Sequence, residues 1–154
     1  MNSASPRVEK ATELFMAGYN CAQAVSGAFC DVLGLPLETV LAISAAFGGG
    51  FARTRHLCGA VSGMGLVLGF CSSNSACDNK PEIYQAVRLA SDEFSTRFGS
   101  LDCCELLKNI DGINDDAMPD ERTALYYKQR PCLSLVCAAT ELAQKCLKDA
   151  GKIK

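Results

Sequence analysis

The sequence predicts an all-α fold, a compact bundle of about six or seven helices in a single domain that spans residues 1–154. Apolar residues recur at intervals of three and four along most of the chain, whereas the alternating patterns typical of β-strands are scarce. Glycine and proline stand between these periodic stretches, where helices end and begin. With 154 residues, the chain is long enough to bury a core without crosslinks.

The helices of the first half are bounded by capping residues. The first carries an apolar stripe through Phe15 and ends at Gly18, a typical C-cap residue. Asn20 is suited to cap the second helix, and Gly34 ends it. Pro36 fits the first turn of the third, which three consecutive glycines end. The second and third helices are predicted over residues 21–33 and 36–47.

The second half follows the same pattern. An apolar, glycine-rich helix starts at Cys58, and a polar loop follows it. Pro81 starts a long amphipathic helix that Gly99 ends, and Ser100 or Asp102 can cap a short helix after it. These helices are predicted over residues 58–70, 81–98 and 103–107, followed by an acidic surface loop over 109–121 and a last helix over about 131–148.

Composition and charge exclude several classes of function. The net charge of −2, without a large cluster of lysine and arginine, argues against nucleic-acid binding. No apolar stretch reaches the roughly 18 residues of a membrane span, so we expect no membrane insertion. The first ten residues lack the pattern of a secretory signal, and we therefore expect a cytoplasmic protein.

Ten cysteines are the most informative feature of the composition. In a reducing compartment, static disulfides are disfavoured, so a surplus of cysteine indicates metal, cluster or thiol redox chemistry. Free cysteine is also a common core residue, which leaves a structural role open for any one of them. The chain lacks the Cys-x-x-Cys pair of zinc ribbons, ferredoxin loops and thioredoxin-like sites.

Position within the predicted helices divides the cysteines into groups. Cys30, Cys137 and Cys146 lie in helix interiors, where a packing role is favoured, and Cys71 and Cys77 flank a loop across which they could pair. Four others stand at predicted helix starts, where unpaired N–H groups and the helix dipole favour a thiolate. These four are Cys21, Cys58, Cys103 and Cys132.

The glycines after Cys58 form two pairs at four-residue spacing, Gly59 with Gly63 and Gly65 with Gly69. Each glycine inside a helix costs about 1 kcal/mol relative to alanine, so these positions need a compensating reason. One reason is close packing against a neighbouring helix. The other is that the backbone beside Cys58 passes close to a cluster, a cofactor or another thiol.

The segment before Cys58 offers two further candidates. His56 could form a nucleophilic pair with Cys58, but side chains two positions apart usually diverge, and a solvated loop histidine is favoured. Arg53 and Arg55 follow three glycines and could border an anion-binding nest. We interpret this segment as a turn with a solvated basic edge, at most a docking point for an acidic redox partner.

Four segments, residues 18–25, 48–63, 99–107 and 130–136, resemble in order the motifs of the redox-active four-cysteine family known by the pattern C_GCAxxG_C_C. The resemblance assigns the family cysteines to the same four positions that stand at helix starts. It also implies Gly59, Ala60 and Gly63 as cofactor-binding residues. A related domain attached to a split-Soret type of haem protein is associated with an iron–sulfur centre, which favours a cluster here.

The resemblance therefore implies a redox-active protein whose four cysteines converge on one centre. Our first expectation is an iron–sulfur cluster used in electron transfer, with metal ligands Cys21, Cys58, Cys103 and Cys132. Thiol–disulfide redox or sensing without metal stays open, as does a structural zinc or interaction protein. We expect a redox partner protein, and a homodimer is left open.

Overall fold

The computed structural model describes residues 4–72 and 78–154. Within these ranges the chain is 67% helical and contains no strand, which confirms the predicted all-α class. Six of the described helices have seven residues or more. None of the helices in the two ranges is long and apolar enough to cross a membrane.

A long loop over residues 107–123 separates the eighth and ninth helices, and a 3₁₀ turn over Ala45–Phe47 extends the fourth. In chain order they are α1 (Pro6–Met16), α2 (Cys21–Gly27), α3 (Cys30–Leu33), α4 (Leu37–Ser44), α5 (Gly48–Phe51), α6 (Gly59–Ser72), α7 (Lys80–Phe98), α8 (Cys103–Leu106), α9 (Ala124–Gln129) and α10 (Cys132–Asp149).

Three parts of the chain differ from the prediction, and one of them is the short helix α5, which begins at the glycines that were expected only to end a helix. The single helix expected over residues 21–33 is broken after Gly27, because Phe29 leaves the helical conformation with its side chain fully buried. Cys30 therefore lies on a separate short helix. The helix α9 was not predicted, because its six residues are too few to show a helical period. The Thr123 side chain caps it by accepting a hydrogen bond from the Tyr126 N–H.

Helix α6 lies at the centre of the fold and packs against α2, α7 and α10. Its glycines allow the closest of these approaches. A Cβ atom at Gly63 would lie 2.8 Å from the Ala22 carbonyl oxygen, so α6 rests directly on the backbone of α2. This contact places the start of α6, which follows Cys58, beside the start of α2, which begins at Cys21. The core around α6 is continuous and contains Phe15, Phe29, Met64, Phe94 and Leu142 among its fully buried side chains.

Candidate functional site: a four-cysteine cavity

One small cavity is lined by four cysteines from four separate helix starts. Cys21, Cys103 and Cys132 are the first residues of α2, α8 and α10, and Cys58 directly precedes α6. The cavity has a volume of about 50 Å³. Four helices that are remote from one another in the chain thus each contribute one thiol to the same cavity. These are the same four cysteines that the sequence identifies by their position at predicted helix starts.

The start of α2 is fixed by Asn20. Its side-chain oxygen accepts a hydrogen bond from the Gln23 N–H at 3.0 Å, and the Gln23 side chain accepts one from the Asn20 N–H at 3.1 Å. The Asn20 amide also donates to the Ala45 carbonyl at 2.8 Å. Gly48 packs so closely that a Cβ atom there would lie 2.5 Å from the Asn20 side chain. Asn20 therefore holds Cys21 in place through contacts with two other parts of the chain.

A left-handed segment begins within α5 and leads toward the cavity. Gly49 and Gly50 have φ angles of +63° and +67°, which glycine adopts without strain. Four residues with side chains also have positive φ, each at a cost of about 1–2 kcal/mol: Phe51, Ala52, Arg53 and Arg55. Such strain persists only where the surrounding structure imposes it, and it concentrates at functional sites.

The residues after this segment pair with the start of α8. The Cys58 N–H donates to the Leu101 carbonyl at 2.8 Å, and the Cys103 N–H donates to the His56 carbonyl at 2.7 Å. The Cys104 N–H donates in turn to the Arg55 carbonyl at 3.0 Å. These backbone hydrogen bonds bring Cys58 and Cys103 to the same wall of the cavity.

Cys21 and Cys132 line the same cavity, and each shifts the pKa of the other. Hydrogen bonding by the Cys21 thiol lowers the pKa of Cys132, and the positive charges of Arg130, Arg122 and Arg55 lower it further, against the opposing effect of burial. The interaction with Cys132 and burial raise the pKa of Cys21 well above its ordinary value. Of the two thiols, Cys132 therefore ionises first, while Cys21 keeps its proton.

The other two cavity thiols favour the protonated form. Burial raises the pKa of Cys58 to about 12, although the Ala60 and Val61 N–H groups donate hydrogen bonds to its sulfur. Burial also raises the pKa of Cys103, although Arg55 Nη1 lies 3.8 Å from its sulfur. The expectation that a helix start favours the thiolate at all four positions is therefore wrong for three of them, because burial outweighs the helix terminus.

Among the residues that the structure describes, three arginines line the cavity and no carboxylate does. Arg122 donates to the Phe15 and Tyr19 carbonyls at 3.5 and 3.2 Å and lies over the Tyr126 ring. Arg130 lies over the same Tyr126 ring, 4.4 Å from its centroid, and donates to Asp120 at 2.6 Å. The cavity is therefore a positively charged environment for thiol chemistry.

The third arginine, Arg55, is only 8% exposed, so the expected solvated basic edge is wrong. Its Nε donates to the Asn114 carbonyl at 2.9 Å. Arg53 is also engaged, since it donates to the Asp116 carbonyl, to Asn114 and to Asp120. The acidic loop expected at the surface is thus tied to the cavity wall by both arginines, which reach across more than fifty residues of sequence.

Sequence reasoning missed the roles of Arg122 and Arg130. Both flank α9, the helix that was not predicted, and they reach the cavity because α9 leads directly into α10. The sequence does place Arg130 two residues before Cys132, which could have indicated an arginine close to that thiol.

The other described cysteines lie outside the cavity, and none of them forms a disulfide. Cys30 accepts a hydrogen bond from Lys10 Nζ at 3.0 Å, and the Cys137 sulfur lies 3.6 Å from the Thr12 hydroxyl. Cys104 is exposed. The suggested pairing of Cys71 with Cys77 lies outside the described residues, because Cys77 is not among them. His56 is exposed and does not line the cavity, as the solvated interpretation expects.

The three residues implied to bind a cofactor lie in the first turns of α6. Gly59 lines the cavity, and a Cβ atom there would lie 3.2 Å from the Cys21 Cβ and 2.8 Å from the Phe47 carbonyl oxygen. Gly63 contacts the backbone of α2, and Ala60 is fully buried. Close helix packing therefore accounts for Gly63, while the cofactor-binding role of all three stays a prediction.

The donor atoms are not arranged as a finished metal site. Within residues 4–72 and 78–154, no group of three or more histidine, cysteine, aspartate or glutamate side chains stands in a metal-holding arrangement. The metal-ligand role of the four cysteines stays a prediction.

Comparison with known families gives one match, over residues 19–146, to the family described as "Putative redox-active protein (C_GCAxxG_C_C)". The chain belongs to this family. The matched range contains all four cavity cysteines and the three arginines that surround them. Comparison with curated proteins and with solved structures finds no match. The family description connects the chain to redox activity.

Proposed function

We propose that this protein is a thiol redox protein in which Cys21 and Cys132 are oxidised to a disulfide and reduced again. The observation that carries the proposal is that both thiols line one small cavity, where each shifts the pKa of the other. A disulfide needs two cysteines whose backbones are already close and whose side chains point toward each other.

The reaction is an exchange with the disulfide of a redox partner protein. A Cys132 thiolate attacks one sulfur of the partner disulfide, which breaks the partner's S–S bond and forms a mixed disulfide. The Cys21 thiol then loses its proton and attacks the Cys132 sulfur, forming the Cys21–Cys132 disulfide and releasing the partner with two thiols. Two electrons pass from this protein to the partner. The arginines favour the step because they stabilise the attacking thiolate.

Disulfide mapping tests the proposal. The reduced protein is oxidised with a small-molecule disulfide, the remaining thiols are alkylated, and the crosslinked peptides are identified by mass spectrometry. We expect a Cys21–Cys132 crosslink that dithiothreitol reverses, and its loss in Cys21→Ser and Cys132→Ser. Cys30→Ser and Cys137→Ser, which alter cysteines outside the cavity, should keep it. Oxidation that leaves Cys21 and Cys132 as free thiols would contradict the proposal.

An iron–sulfur cluster is the second candidate, and a separate observation favours it. Four thiols around one cavity are the donor set of [2Fe–2S] and [4Fe–4S] clusters, and the three arginines would offset the negative charge of a thiolate-bound cluster. Cys21, Cys58, Cys103 and Cys132 would hold the cluster, with Gly59 at the cavity wall. Such a group supplies one-electron transfer when bound.

Anaerobic purification, a visible spectrum and analysis for iron, sulfide and zinc distinguish the candidates. A cluster predicts coloured protein with iron and sulfide, both lost when any of the four cavity cysteines is replaced by serine and both kept in Cys104→Ser. Colourless protein without metal excludes the cluster and leaves the disulfide proposal standing. Stoichiometric zinc without a reversible disulfide indicates a structural metal site instead.

A further inference from the structure

Arg55 carries a buried donor that the protein does not use. The side chain is enclosed, with its Nε bonded to the Asn114 carbonyl and its Nη1 directed to the Cys103 sulfur. Its Nη2 atom is buried without a hydrogen-bond partner among the residues that the structure describes. An unpaired buried donor of a charged group is costly, so native proteins nearly always satisfy such atoms.

The cavity that contains this atom also has more positive than negative charge around it. Three arginines line the cavity, and Asp120, which bonds to one of them, is shared between Arg130 and Arg53. Among the described residues, Arg122 contacts neutral carbonyl groups and aromatic rings. The cavity lining therefore carries more positive than negative charge.

We propose that the four-cysteine cavity binds a small inorganic oxyanion, with Arg55 Nη2 as a principal donor to it. A guanidinium group presents its N–H donors in a planar fork that matches the oxygens of an oxyanion. The cavity volume of about 50 Å³ has room for a ligand of roughly three to five non-hydrogen atoms, counting 10–15 Å³ for each water-sized position. The proposal goes beyond the disulfide reaction, because the anion can bind to fully reduced protein.

Calorimetric titration of the reduced protein with sodium nitrate tests the proposal. Nitrate is a planar oxyanion of suitable size, and sodium gluconate, whose anion is too large for the cavity, keeps the ionic strength constant. We expect saturable binding of one nitrate per chain. Arg55→Gln should weaken it about tenfold or more, because a hydrogen bond to a charged group is lost, and Arg55→Lys should weaken it less. Arg97→Gln, which alters a surface arginine bonded to Glu93 and Glu141, should bind like the wild type.

A second measurement needs no variant and covers the case in which Arg55→Gln does not fold. Crystals of the wild-type protein grown with nitrate should show density for a planar nitrate ion beside Arg55 Nη2. Absence of saturable nitrate binding, equal affinity in folded Arg55→Gln, or nitrate only at the protein surface would overturn the proposal. Disulfide mapping on the same wild-type preparation separates the two proposals: nitrate binding without a Cys21–Cys132 crosslink contradicts only the thiol redox function, and the reverse contradicts only the anion site.

Discussion

Gly50 lies directly against Cys103: a Cβ atom at Gly50 would be 2.6 Å from the Cys103 Cβ. It would also lie 2.8 Å from the backbone nitrogen and oxygen of His56, the residue whose carbonyl holds the Cys103 N–H. The left-handed conformation of Gly50 and the position of one cavity thiol are therefore set by the same contact.

Gly50→Ala should lower the free energy of unfolding by about 2–4 kcal/mol, because the new methyl group adds steric overlap to the strain of a positive φ. Chemical denaturation measures the change. Gly34→Ala is the matched control, since Gly34 has a similar φ of +65° with nothing within 4 Å, and it should lose only about 1 kcal/mol. Equal losses in the two variants would show that the contact with Cys103 has no effect on stability.

Gly63→Ala should lower the free energy of unfolding by about 1–3 kcal/mol, because the added methyl group meets the Ala22 carbonyl and the Val25 Cβ. Gly65→Ala is the control on the same helix: its nearest neighbour is a Val87 methyl group at 4.0 Å, so we expect a stability gain of up to about 1 kcal/mol. Thermal or urea unfolding of both variants measures these changes in the free energy of unfolding. A stable Gly63→Ala protein with disturbed thiol reactivity would favour a role at the centre over helix packing.

Cys132 should be the first cavity thiol to ionise as the pH rises. Its pKa lies below the ordinary 9.0 because Cys21 donates a hydrogen bond to it and Arg130 is near. The ultraviolet thiolate absorbance of the reduced protein should therefore rise below pH 9, and Cys132→Ser should remove this early part of the titration. Cys137→Ser should retain it. A curve unchanged by Cys132→Ser would assign the early ionisation to another group.

Protein stability should fall at alkaline pH through Cys58. Its pKa rises from 9.0 in the unfolded chain to about 12 in the folded protein, mainly through burial. The unfolded chain therefore loses this proton first, and the contribution of Cys58 to stability, on the order of 4 kcal/mol, is present below pH 9 and is lost as the pH rises toward 12. Urea unfolding across this range should show a smaller decline in Cys58→Ala than in Cys104→Ala, which removes an exposed thiol. Parallel declines would contradict the assignment.

Asp120→Asn should loosen the acidic loop. Asp120 accepts hydrogen bonds from Arg53 and Arg130, whose side chains are only 12% and 9% exposed. Neutralising it removes the charged partner of Arg130 and leaves Arg53 with the more distant carboxylate of Asp116. We expect a loss of about 1–3 kcal/mol and faster proteolysis of the loop. Asp116→Asn is the control, because Asp116 is exposed and 3.9 Å from Arg53, and it should stay within about 0.5 kcal/mol of the wild type.

The helical class and most helix boundaries could be predicted because they depend on local signals. Asn20 caps α2, Gly34 and Gly99 end their helices in left-handed conformations, and α10 begins one residue after Pro131, as the sequence indicates. The break at Phe29 could not be predicted, because it depends on the burial of that ring by residues remote in sequence.

The four cavity cysteines could also be identified in advance, because position at a helix start is a local property. Their ionisation could not, since it depends on burial and on the arginines around the cavity. Arg55 shows the difference most clearly. In sequence it follows a glycine-rich turn and looks solvated, yet the hydrogen bond to Asn114 and the acidic loop enclose it.

The pairing of Cys21 with Cys132 has a consequence for folding. Each of the four thiols comes from a different helix start, and α2 and α10 stand near opposite ends of the described chain. Contacts between segments so far apart form late, after the loop-closure entropy between them has been overcome. Until α10 docks, Cys132 and Cys21 remain separate and lack the arginine-lined environment that sets their reactivity. The cavity is therefore complete only in the fully folded protein, and a variant that unfolds globally should lose the early ionisation of Cys132 in one cooperative step.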